Sequence, residues 1–197
     1  MSDARVATSE DLDAIGHVLG QAFADDPVMA WTLGDGDTCD PLKAAAFFRL
    51  DARNHLRHGL CFVTDPPGGV SIWAPPDRWK TRPLDLVRSA PRLLRLAPLK
   101  QLRRALDFVS TVEAAHPAEP HYYLAVLGTD PGQRGRGLGV AVMSPVLERA
   151  DREGRPCHLE SSKAGNLPYY ERHGFEVTGE IVHPEAPPLW SMWRDPR

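Results

Sequence analysis

Apolar positions recur along the chain at spacings that separate helices from strands. Leu12, Ile15 and Leu19 stand three and four residues apart, as on one face of an α-helix, and Thr8 and Asp11 have the spacing of a capping box. Residues 9–24 are therefore predicted to form an amphipathic helix. Helices are also predicted over residues 41–57, 138–153 and 168–173, and in two or three pieces over 83–115, where Pro91 and Pro98 interrupt the pattern.

Short apolar runs bounded by turn residues predict the strands. The strand-like runs cover residues 5–8, 60–64, 70–73, 122–129, 157–161, 175–182 and 189–194. In the last third of the chain, strands and helices alternate. This pattern is typical of the α/β class.

Composition limits the class of protein further. The chain has 197 residues, of which 42% are hydrophobic and 25% are charged, so one globular domain over residues 1–197 is expected. A net charge of −3 does not favour a nucleic-acid partner. Apolar runs are too short for a membrane span, and no leader-like segment is visible, so a cytoplasmic location is expected. Three widely spaced cysteines do not suggest a disulfide framework.

The residues that carry the clearest chemistry lie between the strand at 122–129 and the helix at 138–153. Gly135, Gly137 and Gly139 alternate with other residues, so the backbone there can approach a ligand closely. The helix that follows offers free N–H groups at its first turn, which suits a pyrophosphate, and Arg134 and Arg136 add positive charge. The segment lacks the Walker pattern and fails the dinucleotide pattern at its third glycine.

Together with two downstream features, this loop resembles a known family. Arg134-x-x-Gly137-x-Gly139, then Asn166, then the segment from Tyr170 to Phe175 follow the order seen in GCN5-related N-acetyltransferases (GNAT). The resemblance implies a mostly antiparallel central sheet of six or seven strands, with helices on both faces and a splayed pair of strands at its centre. The C-terminal half is similar to the puromycin N-acetyltransferases, most clearly over residues 117–120, 135–139 and 166–172.

The resemblance also implies where acetyl-CoA binds. The cofactor would lie between the splayed strands, with its pantetheine arm along the first strand and its pyrophosphate on the glycine-rich loop. The residues expected to contact it are Leu127, Gly128, Thr129, Arg134, Gly135, Arg136, Gly137, Leu138, Gly139 and Asn166.

Two side chains are candidates for proton transfer. Tyr170 matches the family's general acid, which would protonate the departing CoA thiolate, although a packing role under the last helix is an alternative. Glu160 is the best candidate for the base that deprotonates the amine, and a glutamate facing solvent is the alternative. Glu119 and His121 are weaker candidates for the base.

Three further residues are candidates for contact with the acceptor. Asp25 and Asp26 could pair with a cationic substrate, or they could simply end the first helix. Trp73 could form a wall of the acceptor pocket, or it could belong to the core.

The sequence leaves several functions open. An acetyl-CoA-dependent N-acetyltransferase acting on a small-molecule amine, such as a puromycin-type antibiotic, is favoured. A non-catalytic CoA-binding module and a protein lysine or N-terminal acetyltransferase are the alternatives. The resemblance is compatible with a monomer or a homodimer. No metal is expected, because in His55-x-x-His58-x-x-Cys61 the cysteine begins an apolar strand and is expected to be buried. The basic residues between 78 and 104 are interpreted as a solvated helix face.

Overall fold

The computed structural model describes residues 3–34, 36–80 and 82–197. Its strands are β1 (Ala4–Val6), β2 (Cys61–Thr64), β3 (Gly69–Ala74), β4 (Tyr122–Thr129), β5 (Cys157–Ser161), β6 (Glu176–Ile181) and β7 (Leu189–Arg194). Its α-helices are α1 (Leu12–Ala22), α2 (Pro27–Leu33), α3 (Pro41–His55), α4 (Pro83–Leu96), α5 (Leu99–Ala115), α6 (Leu138–Glu153) and α7 (Leu167–Glu171). None of the described helices is both long and apolar enough to cross a membrane.

The strands form one mixed sheet in the order β1-β2-β3-β4-β5-β7-β6. Every neighbouring pair is antiparallel except β4 and β5, which are parallel. Their ladder contains only two residue pairs, Tyr122 with Cys157 and Tyr123 with His158. Beyond these pairs the two strands separate, as expected for the splayed central pair.

A bulge in β4 lies close to this separation. Ile72 of β3 pairs with Val126, but the next residue, Trp73, pairs with Leu124, so Ala125 is the extra residue. A bulge reverses which face the following side chains occupy. Leu124 accordingly belongs to one apolar cluster and Val126 to the other.

Helices cover both faces of the sheet because the apolar side of each one packs on it. Buried residues of α1 and α3 form one core cluster with residues of β2, β3 and β4. Buried residues of α6 form the second cluster on the opposite face. Gly20 lets α1 approach α3 closely, since a Cβ atom there would lie 2.5 Å from the carbonyl oxygen of Pro41.

Two prolines act differently from the sequence prediction. Pro91 does not end a helix but lies inside α4. It has no N–H group to bond to the carbonyl of Val87, and because both residues are exposed, water can bond to that carbonyl instead. Asp26 and Pro27 do more than end the first helix: they start α2, with Asp26 as its N-cap and Pro27 in its first turn. Pro98, as predicted, lies between two helices.

Candidate functional site

The separation of β4 from β5 opens a cleft of about 820 Å³. Its walls come from β4, β5, the end of α1, the first turn of α6 and helix α7. Most residues predicted from the sequence to act in the site border this cleft: Asp25, Asp26, Leu127, Gly128, Thr129, Arg134, Gly135, Gly137, Leu138, Gly139, Glu160, Asn166 and Tyr170. The fold therefore brings one cluster together from segments far apart in the chain.

The first turn of α6 forms one end of the cleft. Gly137 is its N-cap in the left-handed region, with φ of 76°, a conformation that favours glycine. The Ala141 amide donates to the Gly137 carbonyl at 3.0 Å, so the amides of residues 138–140 precede the first helical hydrogen bond. These amides and the positive end of the helix dipole can bind an anion.

Gly139 packs closely against Tyr169 of α7 at this end. A Cβ atom at this position would lie 2.8 Å from the hydroxyl oxygen of Tyr169. Tyr169 also lines the cleft. Its hydroxyl is buried without a hydrogen-bond partner among the described residues.

Tyr170 supplies a phenol that stays protonated. Its pKa is raised above the ordinary value, chiefly by burial and also by the neighbouring Tyr169 and Asp26. It lies on α7 and borders the cleft. A protonated phenol in this position can donate a proton to a leaving group bound in the cleft.

Glu160 supplies a buried carboxylate on β5. Burial alone would raise its pKa, but hydrogen bonds from His116 and Tyr123 and the nearby His158 hold it below the ordinary value. Its Oε1 atom lies 3.4 Å from Nδ1 of His116 and 3.7 Å from Nδ1 of His158. The side chain is only 5% exposed, so Glu160 does not face solvent.

The histidines around Glu160 were largely missed by the sequence reasoning. His158 lies two residues before Glu160 on β5, and the period of two along a strand could have identified it. Burial lowers the pKa of His158 to about 4, and it lowers the pKa of His121 as well. His116 follows α5, far from β5 in the chain, so no local sequence pattern could predict that it contacts Glu160.

The two acidic residues after α1 are already engaged within the protein. Asp26 is 4% exposed, and its Oδ1 accepts hydrogen bonds from the amides of Val28 and Met29 at 3.0 and 2.9 Å. Its other oxygen accepts a hydrogen bond from the Ser162 hydroxyl. Asp26 is thus a helix cap that borders the cleft.

Asp25 forms an ion pair across the cleft. Its Oδ1 lies 2.7 Å from Nζ of Lys163. The Lys163 hydrogen bond is the main reason that the pKa of Asp25 is lowered. Lys163 itself follows β5 and was not identified from the sequence.

Two predicted site residues lie elsewhere. Trp73 is completely buried in the core cluster beneath α6, so it does not form a wall of the cleft, and its core alternative is correct. Arg136 is exposed and does not line the cleft. Of the weaker candidates for the base, neither Glu119 nor His121 lines the cleft, although the Glu119 carbonyl holds the His121 ring.

Comparisons with known proteins agree with this architecture. Residues 71–175 match the model of the acetyltransferase (GNAT) family. An uncharacterized N-acetyltransferase of Schizosaccharomyces pombe is 24% identical over 98% of this chain and 83% of its own length. A Corynebacterium glutamicum structure, described as histone acetyltransferase HPA2 and related acetyltransferase, has a TM-score of 0.70 and 26% identity over 100% of this chain and 98% of that one. A Drosophila melanogaster polyamine N-acetyltransferase shares the fold, with a TM-score of 0.69 and 15% identity over 99% of this chain and 100% of that one.

Proposed function

Because the chain belongs to the GNAT acetyltransferase family, we propose that it transfers the acetyl group of acetyl-CoA directly to a primary amine of a small molecule. The observation that carries this proposal is the cleft between β4 and β5. An anion-binding helix end, a protonated phenol and a buried carboxylate all border it.

The cofactor half of the cleft suits acetyl-CoA. The pyrophosphate would bind the amides at the start of α6, with Arg134 at the rim and Asn166 on the opposite wall. Pantetheine would run along residues 127–129, whose backbone groups on the β5 side have no partner in the two-pair ladder between β4 and β5. One of these N–H groups would stabilise the negative charge that develops on the thioester oxygen.

The acceptor amine must lose protons as its nitrogen bonds to the acetyl carbon. Glu160 would accept the ammonium proton, directly or through a water molecule. As the tetrahedral intermediate collapses and the carbon–sulfur bond breaks, Tyr170 would donate its proton to the departing CoA thiolate, and the second proton lost by the nitrogen would return to the phenolate. Asp26 and Glu160 place two carboxylates at the cleft that would favour a cationic amine, whereas Asp25 is already paired with Lys163.

Transfer without an acyl-enzyme is supported by the position of the cysteines. Cys39, Cys61 and Cys157 are all buried, and no cysteine is among the described residues that line the cleft. A thiol nucleophile would have to reach the thioester. The amine is therefore the nucleophile in the proposed reaction.

Puromycin-type aminonucleosides are the first acceptors to test. The support is the similarity of residues 117–120, 135–139 and 166–172 to the puromycin N-acetyltransferases. Release of CoA thiol from acetyl-CoA would be measured with puromycin, polyamines, aminoglycosides, amino-acid derivatives and lysine peptides. Release with a lysine peptide alone would favour the protein acetyltransferase, and acetyl-CoA binding without turnover on any acceptor would favour the non-catalytic module.

A pair of tyrosine variants tests the mechanism. Tyr170→Phe is expected to lower kcat roughly 100-fold or more, because a positioned acid contributes about that much, with little change in the Kd for acetyl-CoA. Tyr122→Phe is the matched control: its hydroxyl bonds to Glu153, and it does not border the cleft. Equal loss of turnover and cofactor affinity in Tyr170→Phe, or no loss of either, would remove Tyr170 from the proposed role.

A further inference from the structure

Three histidines meet in the protein interior next to Glu160. His116 follows α5, His121 precedes β4, and His158 lies on β5. One ring nitrogen from each lies within 4.8 Å of the others. The side chain of His116 is 1% exposed, and His121 and His158 are 2% and 0% exposed. This histidine cluster comprises His116, His121 and His158.

The hydrogen bonds of two rings determine which nitrogens carry protons. Nδ1 of His121 lies 2.6 Å from the carbonyl oxygen of Glu119, which can only accept, so this nitrogen bears the hydrogen. Nδ1 of His116 lies 3.4 Å from the ionised Glu160 carboxylate and donates to it. In neutral rings, both Nε2 atoms then carry lone pairs.

These two lone pairs face each other. Nε2 of His116 lies 3.0 Å from Nε2 of His121. Two acceptor atoms at this distance repel unless a cation, either a proton or a metal ion, lies between them. The electrostatics of the histidine cluster therefore call for positive charge at this position.

The third ring completes the pattern. Nε2 of His158 lies 3.0 Å from the Ser191 hydroxyl oxygen. In each of the three rings, therefore, one nitrogen is hydrogen-bonded to a neighbouring group outside the histidine cluster. The Nδ1 atom of His158 is buried and has no hydrogen-bond partner among the described residues. In metal sites, a ligating histidine usually gives its other ring nitrogen to a carbonyl, carboxylate or similar partner, and each of these rings does so.

The distances suit a small transition-metal ion. Two nitrogen ligands of tetrahedral zinc, each about 2.0–2.1 Å from the metal, lie about 3.3 Å apart. The His116–His121 pair is already close to this separation. The third nitrogen, at up to 4.8 Å, would need to move inward by about 1.5 Å to reach this zinc geometry. Imidazole ligands favour zinc, copper and nickel over calcium or magnesium.

We propose that His116, His121 and His158 form a binding site for a divalent first-row transition-metal ion, with Zn²⁺ as the reference ion. The expectation from the sequence, that no metal binds, considered only His55, His58 and Cys61. An ion bound by the histidine cluster would cross-link the segment after α5 to the ends of β4 and β5 that remain paired with each other. Trp79 stacks on His116 with ring centroids 3.5 Å apart and covers this ring.

Direct binding tests the proposal. Tag-free protein would be stripped with a chelator and titrated with Zn²⁺ by calorimetry, and with Co²⁺ by visible absorption spectroscopy. One ion per chain is expected, with a Co²⁺ spectrum of a four-coordinate site made of three nitrogen ligands and one water molecule, which Zn²⁺ abolishes. Thermal unfolding should shift upward with Zn²⁺, because the ion binds the folded chain.

Matched variants locate the ion. His116→Gln, His121→Gln and His158→Gln should each raise the Kd at least about tenfold, whereas His17→Gln, at an exposed position on α1, should not. Circular dichroism of each chelated variant would verify folding before titration. Tyr170→Phe should bind the ion like the wild type, so loss of turnover and loss of the metal site are separate results.

Two outcomes would overturn the proposal. The first is folded wild-type protein that takes up no metal, with NMR showing His116 or His121 doubly protonated at neutral pH, since the cation would then be a proton. The second is metal binding that all three cluster variants retain, which would place the ion elsewhere.

Discussion

The carboxylate of Asp26 stabilises the start of α2, and its removal has a predictable cost. Its Oδ1 accepts hydrogen bonds from two amides of that helix, at 3.0 and 2.9 Å, and its Oδ2 accepts the Ser162 hydroxyl. Loss of an N-cap costs about 1 kcal/mol, and a hydrogen bond to a charged group contributes about 1.5–3 kcal/mol. Water can replace part of the second contact, because Ser162 is only half-buried. Asp26→Ala should therefore lower the free energy of unfolding by about 2–3 kcal/mol.

Thermal unfolding followed by circular dichroism would measure this cost. For a chain of this size, about 1 kcal/mol shifts Tm by roughly 2–4 °C, so Asp26→Ala should lower Tm by about 5–10 °C. Asp26→Asn keeps a side-chain oxygen for the amides and should stay within about 1 kcal/mol of wild type. Asp25→Ala is the matched control: its carboxylate is 65% exposed, and an exposed ion pair contributes little.

The comparison of these variants can refute the reasoning. If Asp26→Asn is destabilised as much as Asp26→Ala, the charge rather than the cap geometry stabilises the fold. If Asp26→Ala melts like wild type, the cap has no energetic role. A large effect of Asp25→Ala would show that the Lys163 ion pair has been underestimated.

Three further predictions concern stability and reactivity. Hydrogen bonding to Arg5 lowers the pKa of Asp11 to about 2, so Asp11→Asn should cost about 1–2 kcal/mol at pH 7, and most of this difference should be lost as the pH falls from about 4 to about 2 in urea unfolding. Gly20→Ala places a Cβ atom against the backbone of α3 and should cost about 1–3 kcal/mol in the same assay. Burial raises the pKa values of Cys61 and Cys157 to about 12, so neither should react with Ellman's reagent until the protein is denatured.

The controls for these predictions also come from the chain. Gly179→Ala meets no atom within 4 Å and should be nearly neutral, so an equal loss in Gly179→Ala and Gly20→Ala would contradict the steric argument. The Asp11 argument fails if the difference persists unchanged at pH 2, where about half of the wild-type carboxylate is itself protonated in the folded protein. Rapid labelling of Cys61 or Cys157 in folded protein would contradict their burial.

Local sequence patterns were sufficient for most of the fold. The strands β4, β5 and β7 and helix α6 have the bounds that their apolar runs predicted. Other elements differ from their predicted bounds by one to three residues, and the larger departures are at prolines, which can end, begin or interrupt a helix. Pro27 begins α2 because Asp26 can cap it, and Pro91 remains inside α4 because the carbonyl that it leaves unpaired faces water.

The cofactor side of the site is also largely local. The glycine-rich loop and the first turn of α6 are contiguous in sequence, so their residue pattern alone is enough to indicate an anion site. Even there, the contact between Gly139 and Tyr169 required the fold, since the two residues belong to different helices.

The sequence by itself determined the order of the strands and of the helices other than α2, the glycine-rich helix start and the candidate roles of Tyr170 and Glu160. Only the tertiary structure decided the surroundings of these residues: it buried Trp73, joined Ser162 to Asp26 and brought His116 to Glu160. The physical reason is that periodicity and capping act between residues a few positions apart. Burial and hydrogen bonding between distant segments depend on how the sheet and helices pack.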